Sequence, residues 1–160
     1  MNNQTRKRMN LRMAGISMVE SLVALVVISV GMLGIAGLYM SSLQAGRSAN
    51  LRVQAVNLAS DLADRIRANK SGLVNYNKAA AGTGVPHTCT TPTACTTAFV
   101  AENDLYVWTN AVTAALPAGA TGAVTFLDNP GTQPDRYQIA VTWREAGTDV
   151  DSSYVLLVQL

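Results

Sequence analysis

The chain is poor in the residues that carry chemistry. It has one histidine, His87, and two cysteines, Cys89 and Cys95, in 160 residues. No Gly-x-Ser-x-Gly elbow, no glycine-lysine phosphate loop and no histidine-rich metal pattern occurs. His87 lies in a Thr/Gly/Pro loop, where a solvated side chain is the expectation. Asp128, Asp135, Asp149 and Asp151 fall in turn-like stretches without the spacing of a calcium loop, so they read as ordinary turn residues. The sequence therefore predicts no catalytic residue, no metal site and no cofactor. Basic residues are also scarce toward the C-terminus. Past Ser71 only Lys78, Arg136 and Arg144 remain, against seven acids from Glu102 to Asp151, which leaves that part at −4. A nucleic-acid-binding module would usually be basic, so that class is set aside.

Charge is missing altogether between Glu20 and Arg47, a run of 26 residues. As a helix it would extend roughly 39 Å, enough to cross a hydrocarbon core of about 30 Å with some tilt. It is too long for the core of a secretory signal, commonly about 7 to 15 residues. Arg6, Lys7, Arg8 and Arg12 precede it with no acid among them, and positive flanks stay in the cytoplasm. The expected topology is a single pass with the C-terminal part on the far side of the membrane. There Cys89 and Cys95 can oxidise. Two cysteines and one histidine are too few for a zinc site, and a redox pair is normally closer than this. A structural disulfide is the expectation. It would close a loop over five residues, "TTPTA", and stabilise by roughly 2 to 3 kcal/mol.

One charge remains at the mouth of the span. An ionised carboxylate placed in hydrocarbon costs about 2.5 to 3.5 kcal/mol on insertion scales, and Glu20 lies just ahead of Leu22, where the continuous apolar run begins. A glutamate alone would mark only the membrane interface. Here it closes the stretch "AGISMVE", Ala14 to Glu20, directly after the basic leader. That stretch resembles the class III signal of type IV prepilins, with Ile16 standing where the family usually has Phe. The resemblance implies cleavage by prepilin peptidase after Gly15, N-methylation of Ile16 as the new N-terminus, and a role for Glu20 in assembly and axial register. A carboxylate at Glu20 and an amine at Ile16 of a neighbouring subunit would offset each other's burial.

Beyond the span the pattern stays helical and becomes amphipathic. Leu51, Ala55, Leu58, Leu62 and Ile66 form one apolar stripe. Asp61 with Arg65, and Asp64 with Arg67, are spaced for pairs along the helix surface. Helix is predicted from about Ile16 to about Asn69, with Gly72 as a left-handed cap. Gly31, Gly34 and Gly37 inside the span suit either close helix packing or a locally weak helix. A loop is predicted over 72–97. A second helix follows over Ala98 to Leu116, with Ala101, Leu105, Trp108 and Val112 on one face. Three strands are expected, at Ala123 to Asp128, Tyr137 to Arg144 and Ser153 to Leu160, forming an antiparallel meander. Trp108 and Trp143 are expected in the core.

The stretch "NLASDLADRIRANK", the cysteine pair, "NDLYVW", "LP" and "VTWRE" extend the resemblance, specifically toward PilV-type minor pilins. It implies the α+β type IV pilin-like fold, a long N-terminal helix packed on a small antiparallel head. The expected divisions are a leader at 1–15, a transmembrane or filament-core helix at 16–40, its amphipathic continuation at 41–70 and a periplasmic head at 71–160. The implied function is that of a minor pilin in pilus assembly, priming or the filament tip, serving twitching motility or adhesion, with no enzymatic activity. Its implied partners are other pilins, prepilin peptidase and the inner membrane. A pseudopilin of type II secretion and a tip-located adhesin are the alternative readings.

Overall fold

A computed structural model describes residues 17–77, 84–88, 95–127, 136–145, 147 and 150–159. Helix α1 spans Met18–Ala68 and α2 spans Thr97–Ala115. Three strands follow, β1 at Thr121–Leu127, β2 at Arg136–Arg144 and β3 at Asp151–Gln159. They form one antiparallel sheet in the order β1-β2-β3. This is the expected α+β, pilin-like layout of a long helix with a small antiparallel sheet. The chain divides into two compact units inside α1, one ending at Gln44 and the other running Ala45–Leu160.

The second unit holds the core. The expected stripe on α1 is there: Ala55, Leu62 and Ile66 are buried, and Leu51 and Leu58 pack against the core. Ala59 and Ala63 join them, so one face of the helix carries small side chains that permit close approach. On α2 all four predicted positions, Ala101, Leu105, Trp108 and Val112, are buried. β2 alternates strictly, sending Tyr137, Ile139, Val141 and Trp143 inward. Its partners sit in register, with Val124 opposite Ile139 and Val158 opposite Tyr137. Both tryptophans lie in the core, as expected. The Trp108 indole Nε1 donates to the Leu58 carbonyl at 2.9 Å. Its six-membered ring fills the space where a Cβ on Gly122 would stand, so β1 carries a glycine there. At the end of α2, Gly119 adopts φ 89° and Ala120 N donates to Pro117 O at 3.0 Å. This turn needs a left-handed residue and sends the chain into β1.

The end of α1 departs from expectation. Gly72 is not a left-handed cap; the chain enters a 3-10 turn over Lys70–Tyr76, inside what reads as loop. The cause is Tyr76. Tightening the backbone brings its ring into the core, fully buried, and its hydroxyl to Asp104 Oδ2 at 2.7 Å. Asp104 accepts as well from Arg65 Nη1 at 3.2 Å, while Arg65 Nε bonds Asp61 at 2.9 Å. Asn69 Nδ2 donates to the Tyr76 hydroxyl at 3.2 Å and to the Thr97 carbonyl at 2.8 Å. The "DRIRAN" stretch thus supplies one core residue, Ile66, and two side chains, Arg65 and Asn69, that tie α1 to the 3-10 turn and α2. The pair Asp64–Arg67, at 2.8 Å, stays on the surface as read from the sequence.

Two groups of this network are shifted. Partial burial pulls Arg65 down, but its hydrogen bonds to Asp61 and Asp104 outweigh that and raise it. Burial pushes the Tyr76 phenol well up, and the Asp104 carboxylate adds to the push. A raised phenol holds its proton more tightly when folded, so its contribution is complete below the unfolded value of about 10 and is lost as pH rises above it. Stability should therefore fall above pH 10 with an added slope approaching about 1.4 kcal/mol per pH unit. In alkaline urea titrations Tyr76→Phe should be less stable at pH 7 yet lose less on going to pH 11. Parallel pH profiles for the two proteins would contradict this account of Tyr76.

Candidate assembly site

From Ser17 through Arg47 every residue of the described chain is exposed to its surroundings. The apolar side chains are not confined to one stripe: Leu22, Val23, Leu25, Val26, Val27 and Ile28 all stand out within two turns. A helix that is apolar all round requires an apolar environment, either lipid or other apolar helices. The helix is long and apolar enough to cross a membrane. Its few polar groups are managed locally, as where the Ser29 hydroxyl donates to the Leu25 carbonyl at 2.7 Å. Helical hydrogen bonding continues unbroken through Gly31, Gly34 and Gly37, and a Cβ at any of them would meet nothing within 4 Å.

Glu20 occupies the first turn of α1 and is exposed. A carboxylate there is favoured by the positive end of the helix dipole, with its unpaired amide groups. Among the described residues it has no ion-pair partner. Gly15 and Ile16, the expected cleavage pair, lie outside the described residues, so Glu20 alone of the three is placed.

Cys95 stands just ahead of α2, followed by Thr96, whose Oγ1 caps the helix by accepting from Phe99 N at 3.3 Å. Cys95 is not a free thiol, and Cys89 lies outside the described residues. His87, expected in solvent, is instead held against α2. Its Nε2 is 2.7 Å from Glu102 Oε2, its ring stacks on Phe99 at 4.4 Å, and its backbone N–H donates to Asn103 Oδ1 at 3.2 Å. The reason lies three residues earlier. A Cβ on Gly84 would collide with the backbone of α2 at Glu102 and Tyr106, so glycine lets the segment lie flush on the helix and carries His87 to its partners. Nothing in the sequence marks that approach except the glycine itself. His87, Glu102 and Asn103 thus fix a segment to a helix, and no described side chains converge on a reacting position. The described acid from the turns, Asp151, pairs with Arg144 across β2 and β3 at 3.0 Å. Asp128, Asp135 and Asp149 lie outside the described residues.

The chemistry on offer is association: a helix clad in apolar side chains, with one carboxylate at its start. A family model described as Tt1218-like, type IV pilin Tt1218, matches residues 37–106. The match covers the end of the apolar run, the rest of α1, the network around Asp104 and the first half of α2, and leaves the sheet outside it. No curated protein and no solved structure matches the chain. Over residues 37–106 the chain is thus similar to a type IV pilin, and the layout of a long helix with a small antiparallel sheet agrees with that likeness.

Proposed function

We propose that the protein is a minor pilin of the type IV pilus, taken into the filament through the first half of α1 and acting in assembly priming or at the tip. The observation that carries this reading is the exposure of every side chain from Ser17 through Gln44 on a helix otherwise apolar. Such a surface is stable in a bilayer and equally stable among other helices of its kind, so one segment serves as anchor before assembly and as packing surface afterwards. The likeness of the Asn57 to Lys70 stretch to PilV-type chains supports the minor role.

In this reading prepilin peptidase cuts after Gly15 at the cytoplasmic face of the inner membrane and Ile16 carries the methylated amine. The amine then lies about one helical turn from Glu20 of its own chain. When a subunit leaves the lipid for a filament, Glu20 neutralises the amine of an adjoining subunit, and a match one residue out of register leaves both charges unpaired in a low-dielectric interior. The head, held in the periplasm before assembly, carries a disulfide between Cys89 and Cys95. The absence of a free thiol at Cys95 and the export of this part of the chain support the pairing.

Replacement of Gly15 by a bulky residue should leave uncut precursor in the membrane, read as a mass larger by the leader. Normal processing of that variant would remove the cleavage assignment.

Glu20→Gln should insert and be cut like the parent, since Gly15 and the apolar run are intact, and then fail to enter the filament. Leu22→Ala, equally near and uncharged, should cost far less. The quantity to measure is each variant in sheared pili relative to its membrane pool. Equal recovery of Glu20→Gln and the parent would reject the pairing, and absence of even the parent from pili would instead point to a secretion pseudopilin.

Non-reducing peptide mapping of protein from its native compartment should recover the Cys89 and Cys95 peptides linked. Cys95→Ser should lower unfolding free energy by roughly 2 to 3 kcal/mol, the expectation for so short a closed loop. Two alkylatable thiols in the native protein would end the proposal.

A further inference from the structure

Each end of the sheet is tied to a different level of the chain around α1. At one end the Phe126 backbone N–H donates to Asn77 Oδ1 at 3.2 Å, beside Tyr76, whose hydroxyl is bonded to Asn69 just past α1. At the other end Glu145, directly after β2, accepts from Ser48 Oγ of α1 at 3.0 Å and from Ser152 Oγ of β3 at 3.1 Å. Phe126 stands opposite Tyr137, the second residue of β2, so β2 runs back along α1 from near Asn69 to Ser48. The connection from β2 to β3 continues in that direction. Gly147 turns it, at φ 88°. Val150 leaves it 74% exposed, more than any other large apolar side chain described after α1.

Ser48 comes two residues after Gly46, where the uncharged run ends. As helix that run is about 39 Å long, against about 30 Å for a hydrocarbon core and about 40 to 45 Å for a whole bilayer. Its end therefore falls within the headgroup layer, and the hydrogen bond to Ser48 holds the β2–β3 connection at that level. The charges at this end of the sheet agree. Of the described acids, Asp151 is paired with Arg144, and Glu145 takes the two hydroxyls. Arg47 and Arg52 are exposed and form no ion pair among the described residues. Guanidinium is thus left in excess, the group best fitted to phosphate. We propose that the head rests on the bilayer surface by this end, with Val150 in the headgroup layer and Arg47 and Arg52 on lipid phosphates. The contact fixes which end of the head faces the membrane. It rests on the reading of the apolar run as a membrane span and not on the role assigned to Glu20 or the leader.

The test is photocrosslinking of the full-length protein in vesicles of phosphatidylethanolamine and phosphatidylglycerol, with no other protein present. A benzophenone amino acid is placed singly at Val150, at Gln159 and at Leu33, all exposed positions, and adducts are identified by mass. Gln159 ends β3 about 30 Å away along the strand, several times the depth of the headgroup layer. Leu33 should give acyl-chain adducts, which shows the run to be in the bilayer. Val150 should give at least about tenfold more lipid adduct than Gln159. Arg47→Gln combined with Arg52→Gln should lower the yield at Val150 at least about threefold and leave that at Leu33 unchanged. Lipid adducts at Leu33 with none at Val150 would overturn the proposal and leave the span standing; none at either position would overturn both. Equal yields at Val150 and Gln159, crosslinks from Val150 to a second copy in place of lipid, or an unchanged yield in the arginine variant would each overturn it as well.

Discussion

Trp108 spans three elements with one side chain. Its own backbone belongs to α2, its indole nitrogen donates to a carbonyl of α1, and its ring stands against the glycine at the second position of β1. The arrangement depends on removal of bulk on both sides: Ala55, Ala59 and Ala63 along α1, Gly122 on β1. A core this close-packed leaves little room for adjustment, since even one added methylene group in such a place is felt. The inward residues of β2 and Val124 of β1 belong to the same core as that ring.

The two units of the chain satisfy their side chains in different ways. Along Ala45–Leu160 burial of apolar area against protein supplies the stability, with the Arg65–Asp104–Tyr76–Asn69 network meeting the polar needs of the junction. Along α1 up to Gln44 there is no such burial. Backbone hydrogen bonding inside the helix is the only internal satisfaction that segment needs, which is the condition for life in lipid. The same helix thus answers to two sets of rules, and the change from one to the other comes with the first charges after the apolar run, Arg47 and Arg52.

Periodic features were legible in the sequence and contact features were not. The stripe on α1, the buried face of α2 and the three strands follow from spacing alone, and each was found within two residues of its expected start, the strands beginning slightly earlier than their apolar alternation suggests. The 3-10 turn escaped because Gly72 and Asn69 imitate a helix stop, while the reason for the turn, Tyr76 reaching Asp104, joins residues 28 apart. His87 escaped in the same way: a Thr/Gly/Pro setting reads as solvent, and the close approach that Gly84 allows to α2 has no periodic signature. Of the residues expected from the motif and the cysteine spacing, the structure places Glu20 in the first helical turn and Cys95 just ahead of α2. Gly15, Ile16 and Cys89 rest on the motif and the spacing.

The strand order repeats the chain order, and that has a bearing on how the head is made. Each strand is laid on the open edge of the one before it, and no strand must be inserted between two already paired. A chain delivered N-terminus first could therefore set α1 and α2 against each other while the later strands are still in transit, then add β1, β2 and β3 in turn without undoing an earlier pairing. The meander involves only short loop closures, which favours speed; the contacts between α1 and α2 are the slow, long-range ones, and they are available first. Val158, the inward residue nearest the end of β3, closes the core only on the final step.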